Sequence, residues 1–335
     1  MSTMTIDRDD LEPLEPSTAQ QLFLDHKEAG CSESTVRNYK YRTNHFIRWC
    51  QQEGIDNLNE LSGRDIQQYR LWRKDDGTLN KLTLRMQMSS LRVFLKWAGT
   101  IEAVPESLYD KVMIPRVSPE ERQRDETLDA DTAQEILDYL TKYEYGSIEH
   151  VVLALLWETG MRSGAAHSLD VEDVNFDQGR IRLVHRPDEG TTLKNGKAGD
   201  RLVAMTPALS DLLEDYIEDQ RRAVEDGHSR KPLLTTARGR MHRNTIRRVI
   251  YRVTSPCYRG DPCPDCEEKP NAKCPEAVSP HAVRRGSITH FLSEDVPVEV
   301  VSDRMNVSRK VLDQHYDKRS EEVKLEQRRG YLDHI

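Results

Sequence analysis

Three short segments of this chain place together residue types that suit chemistry on a phosphodiester. Thr159-Gly-Met-Arg162 closes an apolar run with a glycine turn, which sets an arginine on a rigid platform. His281-Ala-Val-Arg284 spaces an imidazole and a guanidinium three residues apart, on one face of a helix. His315-Tyr316 follows the apolar pair Val311-Leu312 near the C-terminal end. A phosphodiester under attack concentrates charge on its non-bridging oxygens, and two forked guanidiniums stabilise that charge electrostatically. A tyrosine oxygen is a nucleophile for phosphorus and leaves a phosphotyrosine link. The link keeps the bond energy, so a DNA hydroxyl can reverse the step without ATP. A phenol has an ordinary pKa near ~10 and needs a proton acceptor or a strong positive field. His281 suits the first need and the arginines the second. The leaving 5′ oxygen needs a proton, for which a lysine on a mobile hairpin is a suitable donor. Taken singly, Arg162 reads first as a salt-bridge residue, Tyr316 as packing and His281 as a satisfied surface histidine. The order and spacing of the set favour chemistry.

These residues need elements to hold them. From Ser17 to about Ala98 the pattern predicts four short helices. The first spans Thr18 to Lys27. The second carries Val36, Tyr39, Thr43, Phe46, Ile47 and Cys50 at helical spacing. A third opens on a Ser62–Asp65 cap, and a fourth runs from about Thr83 to Trp97, with Gly99 as its stop. Lys40, Arg42, Arg48, Arg85, Arg92 and Lys96 are interleaved with these apolar positions. They read either as a face for DNA phosphates or as an ordinary solvated face. Residues 1–16 read as a flexible tail and residues 100–126, interrupted by Pro105, Pro115 and Pro119, as a linker. A second unit follows over 127–335. Asp129 starts a helix, Ile148 to Glu158 predicts a buried one, and Arg180 and Arg201 each open an alternating segment. Those two segments predict a β-hairpin whose turn spans Gly190 to Gly199. Helical patterns return after Pro207 and near Asn244.

The chain has 335 residues, 32% of them charged, and a net charge of -8. A run of eighteen apolar residues is missing, which argues against a membrane-spanning helix. Residues 1–15 are polar and acidic and lack the basic start and apolar stretch of a signal peptide, so the expected location is the cytoplasm. An acidic total is unfavourable for binding phosphates unless a basic groove sits within an acidic shell. It suits a salt-loving host, because the Debye length falls to roughly 3 Å in molar salt.

Cys257, Cys263, Cys266 and Cys274 fall within one Gly- and Pro-rich segment just before His281, whereas Cys31 and Cys50 read as small core residues. Four thiolates in a short turn-rich stretch predict a structural zinc site, with free thiols and two disulfides as the other readings. The Cys-Pro-Asp-Cys step supplies a tight bite, and the other spacings are irregular for a zinc ribbon. No cofactor is expected for the chemistry itself.

On Thr159-Gly-Met-Arg162, His281-Ala-Val-Arg284 and His315-Tyr316, the sequence resembles the tyrosine recombinase, or phage integrase, family, including Xer-like enzymes and their haloarchaeal relatives. The resemblance covers nearly the whole chain. It implies a mainly α protein: a four-helix SAM-like core-binding domain over 17–99, then a mostly helical catalytic domain with a small β-hairpin sheet over 127–335. It implies catalytic roles for Arg162, His281, Arg284 and the nucleophile Tyr316, with Lys194 favoured over Lys197 as the hairpin lysine. It implies double-stranded DNA as partner, a homotetramer on paired sites, and a C-terminal segment, residues 318–335, that docks on a neighbour. Two departures stand out. Ala165 takes the place of a common acidic residue. Val307 takes the place of a His or Trp nine residues before the tyrosine, leaving Asn306 or His315 as replacement donors; Asp303 remains to orient the second box. The competing readings are type IB topoisomerase-like relaxation, a non-catalytic DNA- or junction-binding protein, and a zinc-stabilised helical module that does not touch DNA.

Overall fold

The computed structural model describes residues 11–118, 121, 126–263, 266, 274–294, 296–316, 325 and 329. The chain divides into two compact units, Met1–Arg124 and Asp125–Ile335. The first contains α1 (Pro16–Glu28), α2 (Glu33–Glu53), α3 (Gly63–Asp76) and α4 (Lys81–Thr100). Local chemistry sets where these helices begin. Ser62 and Asp65 form a reciprocal capping box at α3, and Asn80 Oδ1 accepts from Thr83 N at 2.8 Å at α4. Both satisfy amides that a helix start leaves without an internal partner. The apolar stripes then meet. Phe23, Phe46, Trp49, Tyr69 and Phe94 are sealed from water, and the Phe23 and Phe94 rings meet edge to face at 5.3 Å.

Three details differ from the sequence reading. The fourth helix passes through Gly99 and ends at Thr100, with the break at Glu102, whose φ is +59°. Part of the stretch read as linker belongs to the first core: Ala103, Val104, Leu108 and Val112 are buried there, and a 3-10 turn at Glu106–Lys111 packs on α4. Spaced apolar residues among prolines carry no helical or strand period, so the sequence hides them. Within the stretch read as tail, Leu11 is buried and the Leu14 carbonyl accepts from Leu58 N at 2.9 Å.

The interleaved basic residues divide into two groups. Arg48 pairs with Asp76 and stacks on Trp72, Arg92 donates to the Tyr109 carbonyl at 3.2 Å, and Lys96 lies over Tyr109. Arg42 and Arg85, with Tyr39 and Ser89, line a shallow concavity of about 390 Å³.

The second unit is mostly helical with a small antiparallel sheet. It contains α5 (Ala130–Tyr143), α6 (Ile148–Thr159), α7 (Ser163–Ser168), β1 (Val174–Asn175), β2 (Arg180–Leu183), β3 (Arg201–Ala204) and α8 (Pro207–Asp215). A short hairpin of β4 (Thr235–Thr236) and β5 (Gly239–Arg240) follows, then α9 (Arg243–Val253), α10 (Pro280–Ser293), α11 (Val298–Met305) and α12 (Arg309–His315). The apolar α6 is central, with α5, α9 and α10 packed around it. The sheet order is β1-β2-β3, and Ile181 pairs with Val203 and Leu183 with Arg201. On α10, Gly286 leaves room for the Leu128 carbonyl; a Cβ there would collide with it. That close approach fixes the helix carrying His281 and Arg284 against the core.

Candidate active site

The end of a helix leaves carbonyls without internal partners, and these carry the negative pole of the helix dipole. Helix α11 ends at Met305, capped by Asn306 in the left-handed region at φ +49°. Three consecutive carbonyls at this end each accept from an arginine. Arg304 O accepts from Arg201 Nε at 2.8 Å, Met305 O from Arg284 Nη2 at 2.8 Å, and Asn306 O from Arg162 Nη1 at 3.1 Å. The donors come from the start of β3, from α10 and from the turn after α6. That turn is moulded onto the same helix end. Gly160 has φ +58°, and a Cβ on it would meet Met305 Sδ at 2.5 Å. The Gly160 carbonyl accepts from Arg284 Nη1. Arg284 is 2% exposed, so its guanidinium is locked by backbone acceptors in a dry setting.

Tyr316 follows α12. It is buried in a small core with Ile288, Leu292, Val301, Met305, Val307 and Leu312. The tyrosine lies close enough to Arg284 to bear on the charge of its guanidinium. Burial, and then the charge of Arg162, push the Arg284 pKa down to about 9, with Tyr316 acting the other way. Burial, and then Arg162, bring Arg201 down to about 10. Both values leave Arg284 and Arg201 cationic at neutral pH. Crowded like charges steadied by carbonyl dipoles make a site that an anion stabilises.

His281 sits in the first turn of α10 with an exposed edge. Loss of solvent on its protein-facing side, then the charges of Arg285, Arg284 and Arg162, hold its pKa below the ordinary 6.5, against a smaller opposite effect of Glu126. The ring is therefore neutral at pH 7 and able to accept a proton. An NMR titration should place its midpoint below pH 6.5, and Arg285→Ala should raise that midpoint by removing the largest cationic contribution. A midpoint above 6.5 in the parent would refute this electrostatic account.

Arg162, Arg284 and Tyr316 are thus brought together, with His281 within electrostatic reach. Lys194 and Lys197 are both exposed on the β2–β3 connection. None of the described hydrogen bonds joins either lysine to the arginines. Between them, Asn195 Nδ2 donates to Asn306 Oδ1 at 2.9 Å, which tethers the connection to the same helix cap. Asn306 therefore engages Arg162 and Asn195, and Val307 packs in the tyrosine core. Ala165 is buried, and Asp303 acts on Arg201, not on the second box, among the described interactions. The His315 side chain lies outside the described residues, as do residues 318–335 apart from Leu325 and Arg329.

Two features escaped the sequence reading. Arg201 shares the inward face of β3 with buried Val203, and an arginine on the core side of a strand was the available signal. A second is a largely buried ion network at the root of the connection. Arg186 makes two bonds to Asp173 at 3.0 and 2.6 Å, Arg230 donates to Asp170 at 2.7 Å, and Arg240 bridges Asp170 and Asp226, each at 2.6 Å. Its members lie far apart in sequence and have no common motif. Away from the arginines, the sulfurs of Cys257, Cys263, Cys266 and Cys274 all lie within 4.8 Å of one another.

Comparison with known proteins places this geometry in context. The model "Phage integrase family" matches residues 126–322, and "Phage integrase, N-terminal SAM-like domain" matches residues 21–100. A tyrosine recombinase of Pseudothermotoga lettingae is 24% identical over 278 residues, covering 83% of this chain and 84% of that protein. Tyrosine recombinase XerA of Thermococcus kodakarensis is 23% identical over 328 residues, covering 94% and 97%. Among solved structures, the Tn1549 transposon integrase in complex with a circular intermediate DNA aligns with TM-score 0.69 at 14% identity, covering 94% of this chain and 99% of that one. A lambda integrase dimer bound to a COC' core site aligns with TM-score 0.66 at 13% identity, covering 92% and 79%. These two structural likenesses speak to the fold alone.

Proposed function

The chain belongs to the phage integrase family of tyrosine recombinases, and from that membership and the site we infer that it is a site-specific DNA recombinase that cuts and rejoins duplex DNA through Tyr316. The observation that carries the assignment of Tyr316 is its burial in one small core with Met305, within electrostatic reach of a guanidinium that the Met305 and Gly160 carbonyls fix. A scissile phosphate would take the remaining donors of Arg284 and Arg162. Attack by the Tyr316 oxygen forms an O–P bond and breaks the bond to the 5′ oxygen. The phenolic proton passes to neutral His281. The developing charge on the non-bridging oxygens falls on the arginine donors, whose positions need no reorganisation. A 3′-phosphotyrosine and a free 5′ hydroxyl result, and the reverse attack by a 5′ hydroxyl religates without ATP.

Duplex DNA is the proposed partner, with Arg42 and Arg85 on the first unit offering phosphates the donors left over from their bonds to Ser90 and Pro115. Four protomers on two paired sites are the proposed assembly. The test is a labelled suicide substrate carrying the cognate site, resolved on a denaturing gel. A protein–DNA adduct is expected; its absence would move the reading to a non-catalytic junction binder. Relaxation of a plasmid that lacks paired sites would favour the topoisomerase-like reading.

Lys194 is the proposed donor to the 5′ oxygen, because Asn195 beside it is bound to the cap of α11. Loss of a positioned proton donor slows a reaction by ~10²–10⁴-fold. Lys194→Ala should fall in that range and recover on a 5′-thio substrate, whose leaving group needs little protonation. Equal rates for variant and parent on ordinary DNA would move the role to Lys197.

A further inference from the structure

We propose that Cys257, Cys263, Cys266 and Cys274 form a tetrathiolate zinc site that ties the end of α9 to the segment leading into α10. The sulfur geometry carries this site independently of the recombinase reading. Zinc–thiolate bonds of ~2.3 Å in a tetrahedron put neighbouring sulfurs about 3.8 Å apart. Cys263 and Cys274 Sγ are 3.9 Å apart, and every pair among the four lies within 4.8 Å. The sulfurs therefore surround one point, as ligands of a single ion do. A disulfide would bring one pair to about 2.05 Å and gives no reason for the second pair to converge on the first.

The energetics of the segment point the same way. Between Thr254 and Ser279 the chain is rich in proline and charge. Among the described residues, Cys263, Cys274 and Ala277 form a small cluster with Tyr251 of α9 and Cys266 packed against it, while Tyr258 and Val278 pack on the main core instead. Three small side chains around the sulfurs bury little apolar area to offset the ordering of the loop beside them. A structural metal supplies that missing stabilisation, and thiolate ligands select zinc among common divalent ions. Four thiolates around Zn²⁺ carry a net charge of 2−. Arg259, two residues from Cys257, pairs through Nη2 with Asp261 at 3.4 Å and keeps a buried Nη1 with no hydrogen-bond partner among the described residues, a donor that suits such a cluster.

The site lies close in sequence to the α10 chemistry. The Ala277 amide bonds back to the Cys274 carbonyl at 3.2 Å, and the Val278 amide to Thr254 Oγ1 at 3.1 Å. Ser279, the cap of α10, is bound by Glu126 at 3.2 Å. Metal would thus fix the entry to the helix that carries His281 and Arg284 without touching substrate. Binding four thiols to Zn²⁺ releases their protons, so occupancy should fall on acidification.

Elemental analysis of the full-length protein, purified without chelator and desalted, should give about one zinc per chain. Reconstitution with Co²⁺ alone should give the visible absorption bands of tetrahedral cobalt–thiolate. Cys257→Ser, chosen because Cys257 is the exposed ligand, should weaken zinc retention at least tenfold against a competing chelator. It should also speed amide exchange over 274–281 while leaving exchange in α1–α4 unchanged. Zinc near zero in both the purified and the zinc-reconstituted protein, with all four thiols titrating freely in the folded state, would overturn the proposal. So would an intact mass lower by two or four hydrogens, which marks disulfides, or iron as the bound metal.

Discussion

Tyr316→Phe should yield no covalent adduct on a suicide substrate while the protein folds and binds DNA as the parent does. The substitution removes one oxygen and leaves the ring among Ile288, Leu292, Val301, Met305, Val307 and Leu312. The apolar area buried is nearly unchanged, so the stability cost should not exceed that of one polar contact, about 0.5–1.5 kcal/mol. The cost to chemistry is total, because the oxygen that attacks phosphorus is gone. Mass spectrometry of the adduct from the parent should map DNA to the peptide containing Tyr316. An adduct persisting in Tyr316→Phe, or one mapped to Tyr251 or Tyr258, would sink the assignment. Those two tyrosines make instructive controls: Tyr258 donates to Glu144, and Tyr251 packs beside the cysteine cluster.

Arg284→Ala should fail in both stability and cleavage. Two carbonyls, of Gly160 and Met305, lose their donor in a dry interior. An orphaned buried acceptor costs about 1–3 kcal/mol, so the pair should lower the free energy of unfolding by roughly 2–6 kcal/mol. Removing a single preorganised donor to a developing oxyanion typically costs ~10²–10³ in rate. Loss of a forked guanidinium should reach at least the upper end of that range. Arg284→Lys separates the two effects. It keeps a cation but offers a point charge in place of a planar fork, so it should recover more stability than rate. Denaturant unfolding and single-turnover cleavage, both below the variant's melting range, measure the two quantities. An Ala variant within threefold of parent cleavage would remove Arg284 from the chemistry.

Much of this arrangement was legible in the residues themselves. Helix starts at Ser62 and Asp129 are local events, so the sequence carries them; Asp129 indeed accepts from Thr132 N at 2.8 Å, whereas the Asn80 cap three residues before the expected start at Thr83 went unread. The hairpin strands alternate, and their pairing follows. Arg162, His281, Arg284 and Tyr316 could be named because their neighbours form short recurring patterns. What could not be read is long-range. The gathering of Arg162, Arg201 and Arg284 on one helix end depends on contacts more than a hundred residues apart in the chain for the first two. Residues 103–112 were misread for the opposite reason: their apolar side chains follow neither the helical nor the strand period, and only the completed core explains them. The exposed lysines remain ambiguous in the structure as in the sequence, since solvent leaves a long side chain many rotamers.

The triple landing on α11 also sets how this site tolerates disturbance. Guanidiniums from the α6 turn, α10 and β3 are bolted to consecutive peptide units, and the chain that leaves those units reaches Tyr316 after a single short helix. A small shift of α11 would carry the proposed anion clamp and the proposed nucleophile together, because both are tied to that helix end. Lys194 has a different carrier, an exposed turn linked to that body by one amide–amide bond from Asn195. The two parts therefore differ in stiffness: the proposed phosphate clamp is built into the frame, whereas the proposed proton donor hangs from it. Substitutions within the frame should behave epistatically, each double change costing little more than the first. Substitutions in the turn should add to them independently.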